Sequence, residues 1–564
     1  MPKPAATPAR ALPRRVALPH ALLMHALPSR ALPPRIVRLL ALPLLALLTG
    51  CTLGPNFHRP GWASPISWLT GEPKPAQPVP SKPVVGPVRV AWWSLFNDPV
   101  LTRLERQVAG DNLDVRTATV RLAESRAQLG ITGAGRYPVF NANGSYQRQK
   151  GSDLGQLAPL ASLASGASGS PGSVAGGFNT PPNFQPFDIF QYGFDASWEP
   201  DIWGQVRREM EAARATVHAS AEARRGVLLT ALAEVARDYI DLRGTQEQLR
   251  IARENLRTAQ QSLKLTQAQA TAGVTTYLDV ANASAQVSIT AAQIPTLHQQ
   301  ERQEMNALAL LLGRAPGALE AELAVPRPVP PVPPRVPVGF PSELVRRRPD
   351  IRQAEAKLHA ATATVGVAVA SFYPSVTLSA SFGFQALTFG NLWKWDARQY
   401  DAGPGFTIPI FQGGELKYTL HLRKAQQQEA AIGYEKTVLS AWHEVANALT
   451  AYQDEQLRRS QLINAVAQSR KALVLAQSRY QEGVADFLTV LDSERSLLSS
   501  QQQLAASTTT VSTNLVALYK ALGGGWQNSF PVAGSIVRSA AGTDRVATAS
   551  PPASPVARTP ASVH

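Results

Sequence analysis

An internal repeat means that any fold of this chain must build the same unit twice. Asp114-Val115-Arg116, Leu122, Gly130 and Tyr137-Pro138 recur as Asp350-Ile351-Arg352, Leu358, Gly366 and Tyr373-Pro374, at a constant offset of 236. Further on, Glu234-Val235-Ala236, Gly273-Val274, Leu278, Val280 and Leu312-Gly313 return as Glu444-Val445-Ala446, Gly483-Val484, Leu488, Val490 and Leu522-Gly523, now at a constant offset of 210. Ungapped agreement across 234–313 is hard to obtain by chance, and such periodicity must be read before any single motif. The 26-residue difference between the offsets fits a Ser/Gly/Pro-rich loop at 151–187 that is shorter in the second copy.

Each copy predicts the same succession of elements. A helix over 98–133 or 342–370, rich in Ala, Gln, Arg and Leu, comes first. Two alternating segments follow, near Phe140–Tyr146 and Tyr192–Glu199 in the first copy and Val376–Gln385 and Phe406–Phe411 in the second. Tyr192, Phe194, Ala196 and Trp198, for example, alternate with Gly193, Asp195, Ser197 and Glu199, which is the period of a half-buried strand. Long helical stretches over 201–270 and 415–480 then break at Gly273 or Gly483 and return as helices over 277–312 and 487–522. A 70-residue helix is about 105 Å long. The leading and return helices, 36 residues each over 98–133 and 277–312, together match that length. Two short helices stacked end to end would therefore lie along one long helix.

Between the copies, the Pro-rich stretch 324–341 reads as an extended linker, and a second such stretch occupies 72–90. The organisation expected is a signal over 1–50, an extended N-terminal segment over 51–97, repeats over 98–323 and 342–526, and a disordered Ala/Ser/Pro tail over 527–564. The signal is read from Arg35 and Arg38 followed by Leu39–Leu48 and small residues at Thr49-Gly50. Met24 is an alternative start that gives a shorter signal. Leu47-Leu48-Thr49-Gly50-Cys51 resembles the bacterial lipobox, in which the cysteine becomes a lipidated N-terminus, and Thr52 in the next position favours the outer membrane. The other reading of Cys51 is a free thiol after an ordinary signal. A lipid anchor adds membrane affinity but spans nothing.

The four short strands set a physical problem, because their apolar faces need cover. A soluble sheet packed on the helices is one answer. A membrane is the other, provided the sheet closes on itself. Four strands cannot close a barrel, for which eight is the smallest number, so several chains would have to contribute, and three would give twelve.

At this point the residues resemble the outer-membrane factor family of TolC-like and OprM-like efflux lipoproteins (NodT-type). Cys51–Pro60 is similar to that family's mature N-terminus, Trp92-Trp93 with Phe96-Asn97-Asp98-Pro99 to the segment leading into its first helix, and Arg348-Pro349-Asp350-Ile351-Arg352 with Ala354-Glu355 to its most diagnostic internal motif. Phe372-Tyr373-Pro374 and Pro409–Gly414 also fit, so the likeness covers about 51–526. The resemblance implies a mainly α chain that forms a homotrimer. Its twelve-stranded outer-membrane β-barrel, four strands per chain, would continue into a twelve-helix periplasmic α-barrel. It also implies a passive duct in a tripartite efflux pump, partnered by a periplasmic adaptor (membrane fusion protein), an inner-membrane RND-type or similar pump and outer-membrane lipid, with no cofactor beyond the lipid on Cys51. A lipid-anchored coiled-coil adaptor or scaffold and a type I protein secretion channel are the alternatives.

Two groups of residues would carry the mechanism. Gly273-Val274 and Gly483-Val484 sit where the helices turn, and Gly supplies the left-handed backbone such turns need. Turn geometry alone could explain them; the resemblance makes them periplasmic tips that dock the adaptor. Leu488, Asp492 and Arg495 fall at i, i+4 and i+7 on one helix face. By spacing alone Asp492 and Arg495 read as an exposed ion pair; the resemblance implies that with Leu488 they constrict the closed periplasmic entrance. The first copy has Leu278 and Asn282 at the matching positions, without the charge.

Composition excludes other classes. The net charge of +15 looks like a nucleic-acid signal, but residues 1–50 carry +7 of it and the remainder is dispersed, so no nucleic-acid partner is expected. One Cys forbids intrachain disulfides and Cys-based zinc sites. His443-Glu444 starts like a zinc-protease motif, but Asn447 stands where the second His should be, and no Gly-Lys dipeptide supplies a phosphate loop. No catalytic, metal-ligating or cofactor-binding residues are assigned, and the chain is not expected to be an enzyme.

Overall fold

The computed structural model describes residues 52–61, 68, 79–150 and 186–527. The signal, Cys51, residues 151–185 of the long loop and the tail from 528 lie outside the described residues. In chain order the elements are β1 (Lys82–Val84), α1 (Pro99–Asp111), α2 (Leu113–Ala134), β2 (Val139–Gln149), β3 (Phe187–Trp198), α3 (Gln205–Thr271) and α4 (Tyr277–Leu311). These are followed by α5 (Glu320–Leu323), β4 (Arg335–Pro337), α6 (Pro341–Arg347), α7 (Pro349–Ala370), β5 (Ser375–Ala386), β6 (Arg398–Thr407), α8 (Glu415–Gln481) and α9 (Phe487–Ala521). The long helices α3 and α8 are 67 residues each and the return helices α4 and α9 are 35 each.

The leading helices correct the sequence reading. Where one helix is expected over 98–133, the chain breaks at Asn112, whose extended backbone ends α1 and whose side chain caps α2 by accepting from the amides of Asp114 and Val115. The second copy breaks at the equivalent Arg348, because Pro349 at the first position of α7 forces the preceding residue into extended conformation.

The helices form one layer. α3 packs against α2, α4, α7 and α9, and α8 packs against α7 and α9. The layer therefore runs α2 with α4, then α3, then α7 with α9, then α8. Around its middle lies the largest apolar core, where Trp92, Phe96, Leu101 and Leu104 meet Leu228 to Ile240 of α3, Val511 to Ala521 of α9 and Leu522 just after it. Trp92 stacks on Tyr519 at 5.7 Å and donates from its indole nitrogen to the Gly524 carbonyl at 3.1 Å. The parallel pair β1–β4 belongs to the same belt: Ser81 donates from its amide to Gln456 Oε1 at 3.0 Å and accepts from the Tyr452 hydroxyl at 2.7 Å.

Beyond one end of the helices, β2-β3-β5-β6 form an antiparallel sheet. Its register places Phe140, Ala142, Gly144 and Tyr146 in line with Ala196, Phe194, Tyr192 and Phe190, and these with Ala380, Phe382, Phe384 and Ala386. Ala402 and Tyr400 of β6 extend two of those rows. One face is thus apolar across all four strands, and the other carries Asn141, Asp195, Ser381 and Asp401 in a single row. The fourth strand lies at 398–407 rather than 406–411: Ile408, Ile410 and Phe411 fall past its end and are highly exposed. Pro409 has no amide to give a ladder, whereas the Gly- and Pro-containing run before it is held extended by pairing with β5. Within one chain β6, which carries Pro404, is the last strand of the sheet.

Candidate functional site

The two hairpin tips are built alike. After α3 the chain reverses at Gly273 (φ 75°), with the Val274 amide donating back to the Gln269 carbonyl at 2.9 Å; after α8 it reverses at Gly483 (φ 75°), with Val484 donating to Arg479 at 2.9 Å. This is the helix C-terminal motif that a glycine's left-handed backbone permits. The return helices start with an Asp–Thr pair in exchanged positions. Asp486 accepts from the Thr489 amide and hydroxyl before α9, whereas before α4 the hydroxyls of Thr275 and Thr276 donate to Asp279. Val274 and Val484 are 67% and 63% exposed, so both tips present an apolar residue to solvent. Their support differs: Phe487 is buried against Tyr480 at 5.6 Å, while the equivalent Tyr277 is 79% exposed.

Leu488, Asp492 and Arg495 share the exposed face of α9, opposite the buried Phe487, Leu491, Glu494 and Leu498. The ion pair that spacing allows between Asp492 and Arg495 does not form. Arg495 instead donates from Nε to Gln286 Oε1 of α4 at 3.0 Å, and Asp492 has no ion pair among the described residues. Asp492 therefore stays an uncompensated carboxylate on the exposed face.

The Arg495 contact belongs to a polar seam that sequence reasoning missed. Glu494 and Gln501 of α9 accept from Ser262 and Asn255 of α3, while Arg495 and Gln502 donate to Gln286 and Gln293 of α4. Both partner sets step by seven residues, so two rungs one heptad apart join the first hairpin to the second. Burial pushes the Glu494 carboxyl up, and the Ser262 hydrogen bond pulls part of the way back. Above the rungs the seam tightens: a Cβ on Gly244 would lie 2.3 Å from Thr509 Oγ1. Gln and Ser at heptad spacing on solvent-facing helices are the only sequence signal of these rungs, and their partners lie more than 200 residues away.

The segment just after Cys51 is fixed at the junction of sheet and helices. The Leu53 amide donates to the Trp203 carbonyl, between β3 and α3. Arg208, nearly fully buried, donates to the carbonyls of Leu53 and Gly54 and to Asn56 Oδ1 at 2.8 to 3.1 Å. Phe57 stacks on His359 at 4.5 Å, and Arg59 binds Glu355 through two 2.7 Å bonds. No helix among the described residues is long and apolar enough to cross a membrane.

Comparison with known proteins agrees with this architecture. The family described as outer membrane efflux protein matches residues 104–314 and 340–524. The pyoverdine export outer membrane protein OpmQ of Pseudomonas putida is 34% identical over 493 residues, which cover 87% of this chain and 98% of that protein. The probable outer membrane lipoprotein SilC of Salmonella typhimurium is 30% identical, over 87% of this chain and 99% of its own length. The solved structure of the outer-membrane channel OprN superposes with a TM-score of 0.74 at 33% identity, covering 85% of this chain and 100% of that one.

Proposed function

This chain belongs to the outer membrane efflux protein family, and on that premise we propose how it serves as the outer-membrane channel component of an efflux pump. It catalyses no reaction; it conducts. Three copies pool their sheets into a twelve-stranded barrel, with the apolar face toward lipid and the row of Asn141, Asp195, Ser381 and Asp401 toward a water-filled lumen. The helical layers close into a twelve-helix tunnel that reaches into the periplasm. Cys51 carries the lipid, and Arg208 and its neighbours hold the following segment at the membrane boundary.

One observation carries this reading. No helix covers the sheet's apolar face among the described residues, and much of it is bare, with Phe140 73%, Phe194 63%, Tyr400 78% and Phe406 70% exposed, while its two edges β2 and β6 are unpaired within the described residues. A soluble sheet would cover that face with helices and blunt those edges. The bare face argues against a merely anchored coiled-coil adaptor.

Three Asp492 carboxylates around the three-fold axis form a cation-attracting ring at the periplasmic end, with Leu488 narrowing it and Arg495 bracing it through Gln286. The tips at Gly273-Val274 and Gly483-Val484 receive the periplasmic adaptor. Because a ligand shifts an equilibrium only by its differential affinity, the adaptor opens the duct by binding the dilated tips better than the closed ones. An inner-membrane pump of the RND type or a similar one selects the cargo. The name of OpmQ assigns it pyoverdine; a passive duct need not share that cargo.

Purified full-length protein in planar bilayers tests the reading. Discrete conductance steps and a heat-modifiable oligomer are expected, and Cys51→Ser protein should resist extraction once inserted. A monomer that conducts nothing would overturn it.

A further inference from the structure

The loop joining β5 to β6 lies at the end of the sheet away from the helices. It folds back over the apolar face. Phe389 packs on Phe190 at 5.6 Å, Trp393 on Tyr192 at 5.2 Å and Trp395 on Phe384 at 6.4 Å, and all three strand residues belong to the apolar rows. The loop rings are still open, with Phe389 59%, Trp393 65% and Trp395 65% exposed. Isolated exposed rings are ordinary; contiguous ones mark an interaction surface.

Cations are interleaved with these rings. Lys394 is exposed between the two tryptophans. The Arg398 guanidinium lies 5.0 Å from the Trp395 ring centroid and donates to the Trp395 carbonyl at 3.0 Å. Its nearest carboxylate, the fully exposed Asp396, stands at 3.9 Å, beyond hydrogen-bond distance.

We propose that this loop is a binding site for the phosphate-bearing headgroup of an outer-leaflet lipid, with Trp393 and Trp395 at headgroup depth and Lys394 and Arg398 on the phosphate. Amphipathic rings settle at the membrane–water interface, and basic side chains beside them gain from anionic headgroups. The rings are continuous with the face that the barrel reading gives to lipid, on which this inference rests, and their position away from the helices selects the outer leaflet.

The test uses full-length oligomer in mixed micelles, with lipid retention read by native mass spectrometry. The probes are bisphosphorylated lipid A, its dephosphorylated form and phosphatidylglycerol. Wild-type protein should retain the bisphosphorylated lipid, and Lys394→Gln/Arg398→Gln should retain it about tenfold less. Trp393→Ala/Trp395→Ala should also lose retention. Equal retention by wild type and both variants, or of the dephosphorylated lipid, overturns the site; equal retention of phosphatidylglycerol overturns the outer-leaflet assignment. Conductance and heat-modifiability of the same preparations report on the barrel separately, so a conducting oligomer with no lipid preference defeats the inference alone.

Discussion

The Nη1 atom of Arg348 donates a 2.9 Å hydrogen bond to the carbonyl oxygen of Ala521, the last residue of α9. In the first copy the equivalent position, Asn112, donates from Nδ2 to the carbonyl of Leu311, the last residue of α4, at 2.8 Å. Each bond joins the start of a leading helix to the end of a return helix, and so makes two short helices act as one beside α3 or α8. The glycine that ends each return helix sits in the joint: a Cβ on Gly313 would lie 2.7 Å from the Asp111 carbonyl oxygen, and one on Gly523 2.8 Å from Arg348 Cγ.

The joint yields a graded prediction. Asn112→Ala removes the cap of α2 and orphans a terminal carbonyl, an expected loss of about 2 kcal/mol. Asn112→Asp keeps the cap but cannot donate to Leu311, so it should fall between wild type and Asn112→Ala in the temperature at which the oligomer collapses on a gel. An Asn112→Asp protein as stable as wild type would mean that the 2.8 Å contact contributes nothing.

If the proposed gate at the start of α9 is the constriction, Asp492→Ala with Arg495→Ala should raise single-channel conductance in planar bilayers. These changes remove both the carboxylate proposed to ring the entrance and the α9–α4 tie to Gln286. Adding Asn255→Ala and Gln502→Ala cuts the upper rung and should lengthen the open periods further. Unchanged conductance in the double variant removes Asp492 and Arg495 from the gate.

How much of this could be read from the chain depends on the range of the interaction. The tips were legible because Gly273 and Gly483 act within their own turns, and the common face of Leu488, Asp492 and Arg495 because helical geometry is local. The helix break at Asn112 was hidden: an Asn in a helical pattern can equally cap or tolerate, and what fixes it here is the end of α4, far along the sequence. Strand β6 was misplaced because Gly403, Pro404 and Gly405 carry no alternation and take their register from β5. Arg495 spends its guanidinium on Gln286, a partner that no spacing rule would select over Asp492.

Docking at the tips is tested by bulk. Gly483→Arg places a side chain on a left-handed backbone (φ 75°) with open space around it, so the substitution strains one turn without clashing. Oligomers should still reach the membrane, yet drug efflux in a cell that supplies the adaptor and pump should be lost. Normal resistance would take Gly483 and Val484 out of the docking surface.

Three carboxyls in the helical belt predict how stability follows pH. Burial pushes Asp241 to about 6 and Glu304 to about 7, although Gln300 and Thr245 donate to Glu304. Glu105 is driven well above the usual carboxylate range by burial, and among the described residues neither of its oxygens has a hydrogen-bond partner. A carboxyl whose folded pKa is raised holds its proton in the native state after the unfolded chain has released it, so stability falls as pH rises above about 4.3. For Asp241 that fall runs from about pH 4 to about 6, and for Glu304 from about pH 4.5 to about 7. The oligomer should therefore melt at a higher temperature at pH 5 than at pH 8, and Asp241→Asn/Glu304→Gln should make that slope shallower, with Glu105 carrying the rest. Glu105→Gln should chiefly raise stability at pH 8, by about 1–2 kcal/mol, because it spares the fold a buried charge or its protonation. A melting temperature that rises with pH across this range would show that these carboxyls are solvated in the assembled protein.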